Sequence, residues 1–279
     1  MHHRQFRGFR AIGLARGSAG TRGPGGFAGI VVVLALAIWA VTRQEHSSPA
    51  PRVTPAPVAV APRPHAVIPL PETEQRLCTA VAILVDTSGS MRDAVQDHDG
   101  RPRPKSDIAK EALARILEHT SQWQQANPDR VLQIGVSSFS SSVSPVLPMA
   151  PFDAKSVPDA LQRLPRPAGG TAIGRALQVA FQSLYQSGCV RKYVVCITDG
   201  QNTSGPPADR VARQLYAQTA GEVELHFVAF DTSAGYFDFL NAVNGFAVEA
   251  ADAPQLQQRL TDIYEKRILA EAMPAEKED

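Results

Sequence analysis

Four short apolar runs separated by amphipathic stretches constrain this 279-residue chain more than any other feature. They are TAVAILVD at Thr79–Asp86, VLQIGVSSF at Val131–Phe139, KYVVCITD at Lys192–Asp199 and EVELHFVAFD at Glu222–Asp231. Runs this continuous, rich in Val and Ile, predict strands buried on both faces, which is the signature of parallel sheet. Between them the period changes. Ser106–His119 puts Ile108, Ala112, Leu113, Ile116 and Leu117 on one helical face, with Ser106 as the expected N-cap. A second helix is expected after Gly169, Gly170 and Thr171, where Ile173, Leu177, Phe181 and Leu184 recur at helical spacing, and a third over Ala208–Thr219. FAVEA at Phe246–Ala250 reads as a last short strand, and Ala253–Ala270 as a terminal helix. The run SVSPVLPM at 142–149, with Pro145 and Pro148, suits an edge strand, because proline cannot donate to an inner ladder. No internal repeat is visible. Such alternation predicts an α/β fold: a doubly wound, mostly parallel central sheet flanked by helices, over residues 72–270.

What precedes and follows that domain has a different character. Residues 1–26 are basic, with Arg4, Arg7, Arg10, Arg16 and Arg22 ahead of any acidic residue. Residues 27–42 form an uncharged stretch whose core, Phe27–Val41, is wholly apolar. These fifteen residues span roughly 22 Å as a helix against a ~30 Å hydrocarbon core, so two readings stay open. The length and the small pair Ala35 and Ala37 fit a cleaved signal peptide, whereas the continuation to Trp39 fits a transmembrane anchor. Arg crowded before the run would leave the N-terminus in the cytoplasm and the C-terminal domain extracytoplasmic, periplasmic in a bacterium; cleavage would make it secreted. Residues 43–71 read as a linker in which eight prolines, from Pro49 to Pro71, preclude a helix and favour an extended spacer. The tail, 271–279, is acidic. Eight of the 28 Lys and Arg precede residue 72 but only one of the 27 Asp and Glu, which leaves 20 against 26 and a net charge of −6 downstream. A surface of that sign argues against nucleic acid as a partner.

In open α/β sheets, function gathers beyond the carboxyl ends of the strands. Two of the predicted strands end in aspartate followed by turn residues: Asp86 in DTSGSM and Asp199 in TDGQNT, with GGT between them. If the three loops meet on one edge, Asp86, Ser88, Ser90, Thr171 and Asp199 supply five oxygen donors, which is what a hard cation such as Mg2+ requires. Gly89 is expected to permit the turn, and Gly169 and Gly170 a close backbone approach.

Those five residues, in that order, resemble the metal-ion-dependent adhesion site (MIDAS) of the von Willebrand factor A family, and the likeness covers about Thr79 to Arg267. The resemblance implies that Ser88, Ser90 and Thr171 offer hydroxyls to Mg2+, Mn2+ or Ca2+, while Asp86 and Asp199 act directly or through water. It also implies a protein partner whose acidic residue completes the coordination, so the expected activity is binding rather than catalysis, with residues 27–42 as the membrane tether. Two other readings remain. One is an adaptor for a cytoplasmic AAA-type ATPase, as in some relatives. The other is a metal-dependent phosphatase, against which Ser88 stands where the haloacid-dehalogenase type needs a second aspartate, and no GxSxG elbow is present. The family's strand order implies that Cys78 and Cys189 fall together and form a bridge, leaving Cys196 buried mid-strand. The polar stretch Arg92–Lys105 is longer than the family's usual link and is expected to be a solvated loop. His226, Tyr236, Phe237 and Phe239 are expected in the core.

Overall fold

The structure, a computed structural model, describes residues 70–272. The expectations for 1–26, 27–42, nearly all of the 43–71 linker and the tail beyond Ala272 lie outside the described residues.

A six-stranded sheet runs through the described residues. In chain order the strands are β1 (Arg76–Asp86), β2 (Ala94–Gln96), β3 (Pro102–Pro104), β4 (Leu132–Phe139), β5 (Val143–Pro151), β6 (Cys189–Thr198), β7 (Val223–Phe230) and β8 (Gly245–Ala250). The helices are α1 (Lys105–Ala126), α2 (Val157–Gln162), α3 (Ile173–Gln186), α4 (Ala208–Gln218) and α5 (Ala253–Ile263). The sheet order is β5-β4-β1-β6-β7-β8, with β5 antiparallel to β4 and every other pairing parallel. The proline-bearing strand thus takes the edge, as its missing N–H donors require.

Side-chain alternation along β1 shows why both faces must be covered. Val81, Ile83 and Val85 point into the cluster built with Ile108, Leu113 and Leu117 of α1 and Leu256 and Leu260 of α5. Ala80, Ala82 and Leu84 point the other way, against Leu177, Phe181 and Leu184 of α3 and Val211 and Leu215 of α4. An apolar strand exposed on either side would forfeit roughly 1.5–3 kcal/mol for each large side chain left in water.

Several local expectations change. Ser106 does not cap α1. The helix starts one residue earlier, after Pro104, because the Lys105 amide is already satisfied by the Asp93 carbonyl at 2.9 Å. The stretch before it is not an open loop throughout: β2 and β3 pair as an antiparallel ribbon, closed by the Asp97 carboxylate accepting from the Asp99 and Arg101 amides. The terminal helix is regular only to Ile263, after which Tyr264–Leu269 widens into a π turn that keeps Tyr264, Ile268 and Leu269 buried. Tyr236 is 52 % exposed rather than in the core, since the 3-10 turns over Ala234–Ala242 aim Phe237 and Leu240 inward instead. The reading of a transmembrane helix or signal anchor is also corrected: among the described residues no helix is long and apolar enough to cross a membrane. The longest, α1, is amphipathic, and residues 27–42 lie outside the described part.

The Cys78–Cys189 bridge is formed, joining the starts of the neighbouring strands β1 and β6. Cys196 is free and fully buried.

Candidate functional site

Asp86 is the last residue of β1, and Thr198, beside it across the ladder, is the last of β6. This parallel pairing brings loops far apart in sequence to one edge of the sheet. The Asp86 carboxylate is fully buried and pinned at both oxygens. Its Oδ1 accepts from the Ser88 amide at 2.7 Å and its Oδ2 from the Thr198 hydroxyl at 2.6 Å. Burial pushes the Asp86 carboxyl up to about 6 against the pull of the Thr198 and Ser88 hydrogen bonds, and the charge of Asp199 adds to the rise.

From Asp86 the donors form a chain. The Ser88 and Ser90 hydroxyls lie 3.2 Å apart, and Ser90 Oγ donates to Asp199 Oδ1 at 2.8 Å. Ser88 is buried and Ser90 exposed, so the row runs from interior to solvent. Thr171 is brought to the same edge through its backbone. Its amide donates to Thr203 Oγ1 at 2.8 Å, and its carbonyl accepts from the Thr203 amide at 2.9 Å, in the loop that follows Asp199. The Gly89 amide donates to the Gly169 carbonyl at 3.0 Å, which ties the first loop to the second. Gly89 serves this close approach and not a left-handed turn: a Cβ there would lie 3.3 Å from the Gly169 oxygen, whereas Gly169 itself has φ +79. All five residues singled out in the sequence therefore meet on one edge.

Three contributors were not foreseen. Thr198 precedes Asp199 in the motif and reads there as a plain strand residue. Lys105 is 4 % exposed, and its Nζ lies 3.0 Å from Asp199 Oδ2 and 2.9 Å from Asp231 Oδ2. Burial would depress this ammonium, but the hydrogen bonds it donates to Asp231 and Asp199 outweigh that and hold its pKa above the ordinary value. Asp231 follows β7 in the left-handed region, φ 52, a conformation that Asp tolerates better than most residues. Its only sequence signal was a third strand ending in aspartate, like Asp86 and Asp199. His226, in contrast, is a core residue as expected, fully buried between Tyr193 and Phe246.

The donor set is all oxygen. Among the described residues no group of three or more His, Cys, Asp or Glu is placed to hold a metal ion, so any cation at this edge depends on hydroxyls as well as carboxylates.

Residues 81–201 match the profile of the von Willebrand factor type A domain. The uncharacterized protein YwmC of Bacillus subtilis (strain 168) is 27% identical over 176 residues, covering 62% of this chain and 75% of that protein. Two solved structures are similar in fold. The PilB minor pilin of Streptococcus sanguinis has a TM-score of 0.55 at 13% identity, covering 72% of this chain and 63% of its own. Proximal thread matrix protein 1 of the mussel byssus, whose MIDAS motif is occupied by zinc, has a TM-score of 0.52 at 19% identity, covering 71% of this chain and 49% of its own. The chain thus spans less than two thirds of either solved structure. At these identities the likeness is one of fold: residues 70–272 carry a von Willebrand factor A-type α/β fold.

Proposed function

We propose that this chain is a divalent-cation-dependent protein-binding module, in which Ser88, Ser90 and Thr171 offer hydroxyls to Mg2+, with Mn2+ or Ca2+ as substitutes, Asp86 and Asp199 act on it directly or through water, and the cation takes up an acidic side chain of a protein partner. The observation that carries the reading is the row of hydroxyls from Ser88 to Ser90 to the Asp199 carboxylate, beside an Asp86 carboxylate that accepts from the Ser88 amide, and open to solvent at Ser90. Oxygen donors without sulfur or imidazole suit a hard cation. The charges fit as well. Asp86, Asp199 and Asp231 carry three negative charges and Lys105 one positive, which leaves two for a dication to balance. The zinc-occupied MIDAS of the mussel protein supports the same use of such an edge. With neutral hydroxyls making up most of the donors, a bound cation stays electrophilic, and that is what attracts a partner's carboxylate.

Catalysis is the weaker reading, because Ser88 lacks the carboxylate a phosphoryl-transfer site would need two residues after Asp86. The Cys78–Cys189 bridge favours an oxidising compartment over the cytosolic setting of an ATPase adaptor.

The test is calorimetric titration of Mg2+ and Mn2+ into the full chain, followed by partner capture with and without EDTA. Asp86→Ala should weaken the cation itself, whereas Thr171→Ala, which removes a neutral oxygen, should weaken partner capture more than cation affinity. Absence of any divalent binding at millimolar concentration, or capture that survives both EDTA and Asp86→Ala, would sink the proposal.

A further inference from the structure

Lys105 is an unusual neighbour for a cation site. A buried ammonium is tolerated only where carboxylates repay its lost hydration, and here it lies between Asp199 Oδ2 at 3.0 Å and Asp231 Oδ2 at 2.9 Å. Lys105 and Asp231 are each held through the backbone. The Lys105 amide donates to the Asp93 carbonyl, next to the turn that bears Ser90, and the Asp231 amide donates to the Ala250 carbonyl at 2.7 Å. Asp199 is consequently engaged at both oxygens, Oδ1 by Ser90 and Oδ2 by Lys105.

Resting on the cation-site reading above, we propose that Lys105 is a positioning residue that withholds Asp199 from direct ligation, so that a bound divalent ion keeps its charge for the partner's carboxylate. Lys105 thereby sets the division between affinity for the cation and affinity for the partner. A carboxylate freed to neutralise the ion would tighten cation binding and dull the attraction for an acidic side chain. Asp231 tunes the device from the other side. By sharing the ammonium it limits the grip of Lys105 on Asp199, and it is itself 45 % exposed at the side chain.

The experiment is calorimetric titration of Mn2+ into the full-length wild type, Lys105→Met, Asp199→Asn and the double variant Lys105→Met/Asp199→Asn. Lys105→Met should bind Mn2+ about tenfold or more tightly, because it removes a buried positive charge that is paired with Asp199 and repels a dication held at the same edge. A merely structural lysine would give weaker binding on removal. The double variant separates a freed ligand from simple charge removal. Asp199→Asn should cost several-fold more affinity in the Lys105→Met background than in the wild type, whereas charge effects alone would add. Asp231→Asn, at an exposed position that spares the core, should weaken Mn2+ binding as Lys105 settles on Asp199. Additive effects in the cycle, or Lys105→Met binding Mn2+ no more tightly than wild type, overturn the role of Lys105 while leaving the cation site standing. A wild type that binds no Mn2+ overturns both.

Discussion

Reducing the Cys78–Cys189 bridge should cost this protein a large part of its stability. The bridge closes a loop of 111 residues, and the chain-entropy relation assigns a loop of that length about 5 kcal/mol at 25 °C. Reduction is a cleaner perturbation than substitution, since both sulfurs stay in place and no cavity is opened where Cys189 is fully buried and Cys78 nearly so. The two strands it joins remain hydrogen-bonded in register, Thr79 opposite Arg191 through Val85 opposite Ile197, so the folded state should survive reduction and the loss should fall on the unfolded side. Guanidinium unfolding of the full chain, followed by far-UV circular dichroism with and without dithiothreitol, measures it. With a slope of ~4 kcal/mol/M the midpoint should fall by about 1 M. Thiol titration under native, oxidised conditions should find Cys196 unreactive, because it is fully buried and burial raises its thiol well above the ordinary value. A midpoint shifted by less than about 0.2 M would refute the entropic reasoning, and two reactive thiols in the oxidised protein would refute the pairing.

Two further outcomes follow from particular residues. Gly174→Ala in α3 would place a Cβ 2.3 Å from the Pro206 carbonyl oxygen, so the loop that holds Thr171 must shift. The cost should be about 1–3 kcal/mol, with weaker Mn2+ binding, while Gly200→Ala, which meets nothing within 4 Å, should fold normally. His226 has its pKa pushed down from 6.5 to about 4, first by burial and then by the charge of Arg267; Glu224 Oε1 lies 3.4 Å away but makes no hydrogen bond with it. Between those two values the unfolded chain binds the proton and the folded one does not, so stability is full above about pH 6.5 and falls by about 3 kcal/mol by pH 4. The raised Asp86 pKa acts in the opposite sense, but it is common to wild type and His226→Phe. Urea midpoints of the two proteins from pH 7 to 4 should therefore diverge, and parallel curves would show that His226 does not bear the acid sensitivity.

The elements that carry long-range information in single residues were legible in the sequence. Strands β1, β4, β6 and β7 declared themselves because burial on both faces demands unbroken apolar runs, and that demand is local. The five residues of the proposed cation site were legible because each sits near a strand end or helix start that the same patterns locate. The pairing of Cys78 with Cys189 needed the strand order as well, and that came through resemblance. Only the tertiary structure decided the rest. Ser106 is a good cap by type, yet the Asp93 carbonyl, just ahead of the β2–β3 ribbon, had already satisfied the amide that begins α1. Tyr236 is apolar enough for a core, but the kink at Phe237 decides which ring turns inward. Lys105 lies 94 residues from Asp199 and reads in sequence as the end of a solvated loop. Its burial between two carboxylates exists only once β6, β7 and α1 end at one edge. A charge is defined by what surrounds it, and the surroundings are the part of a protein that sequence order does not display.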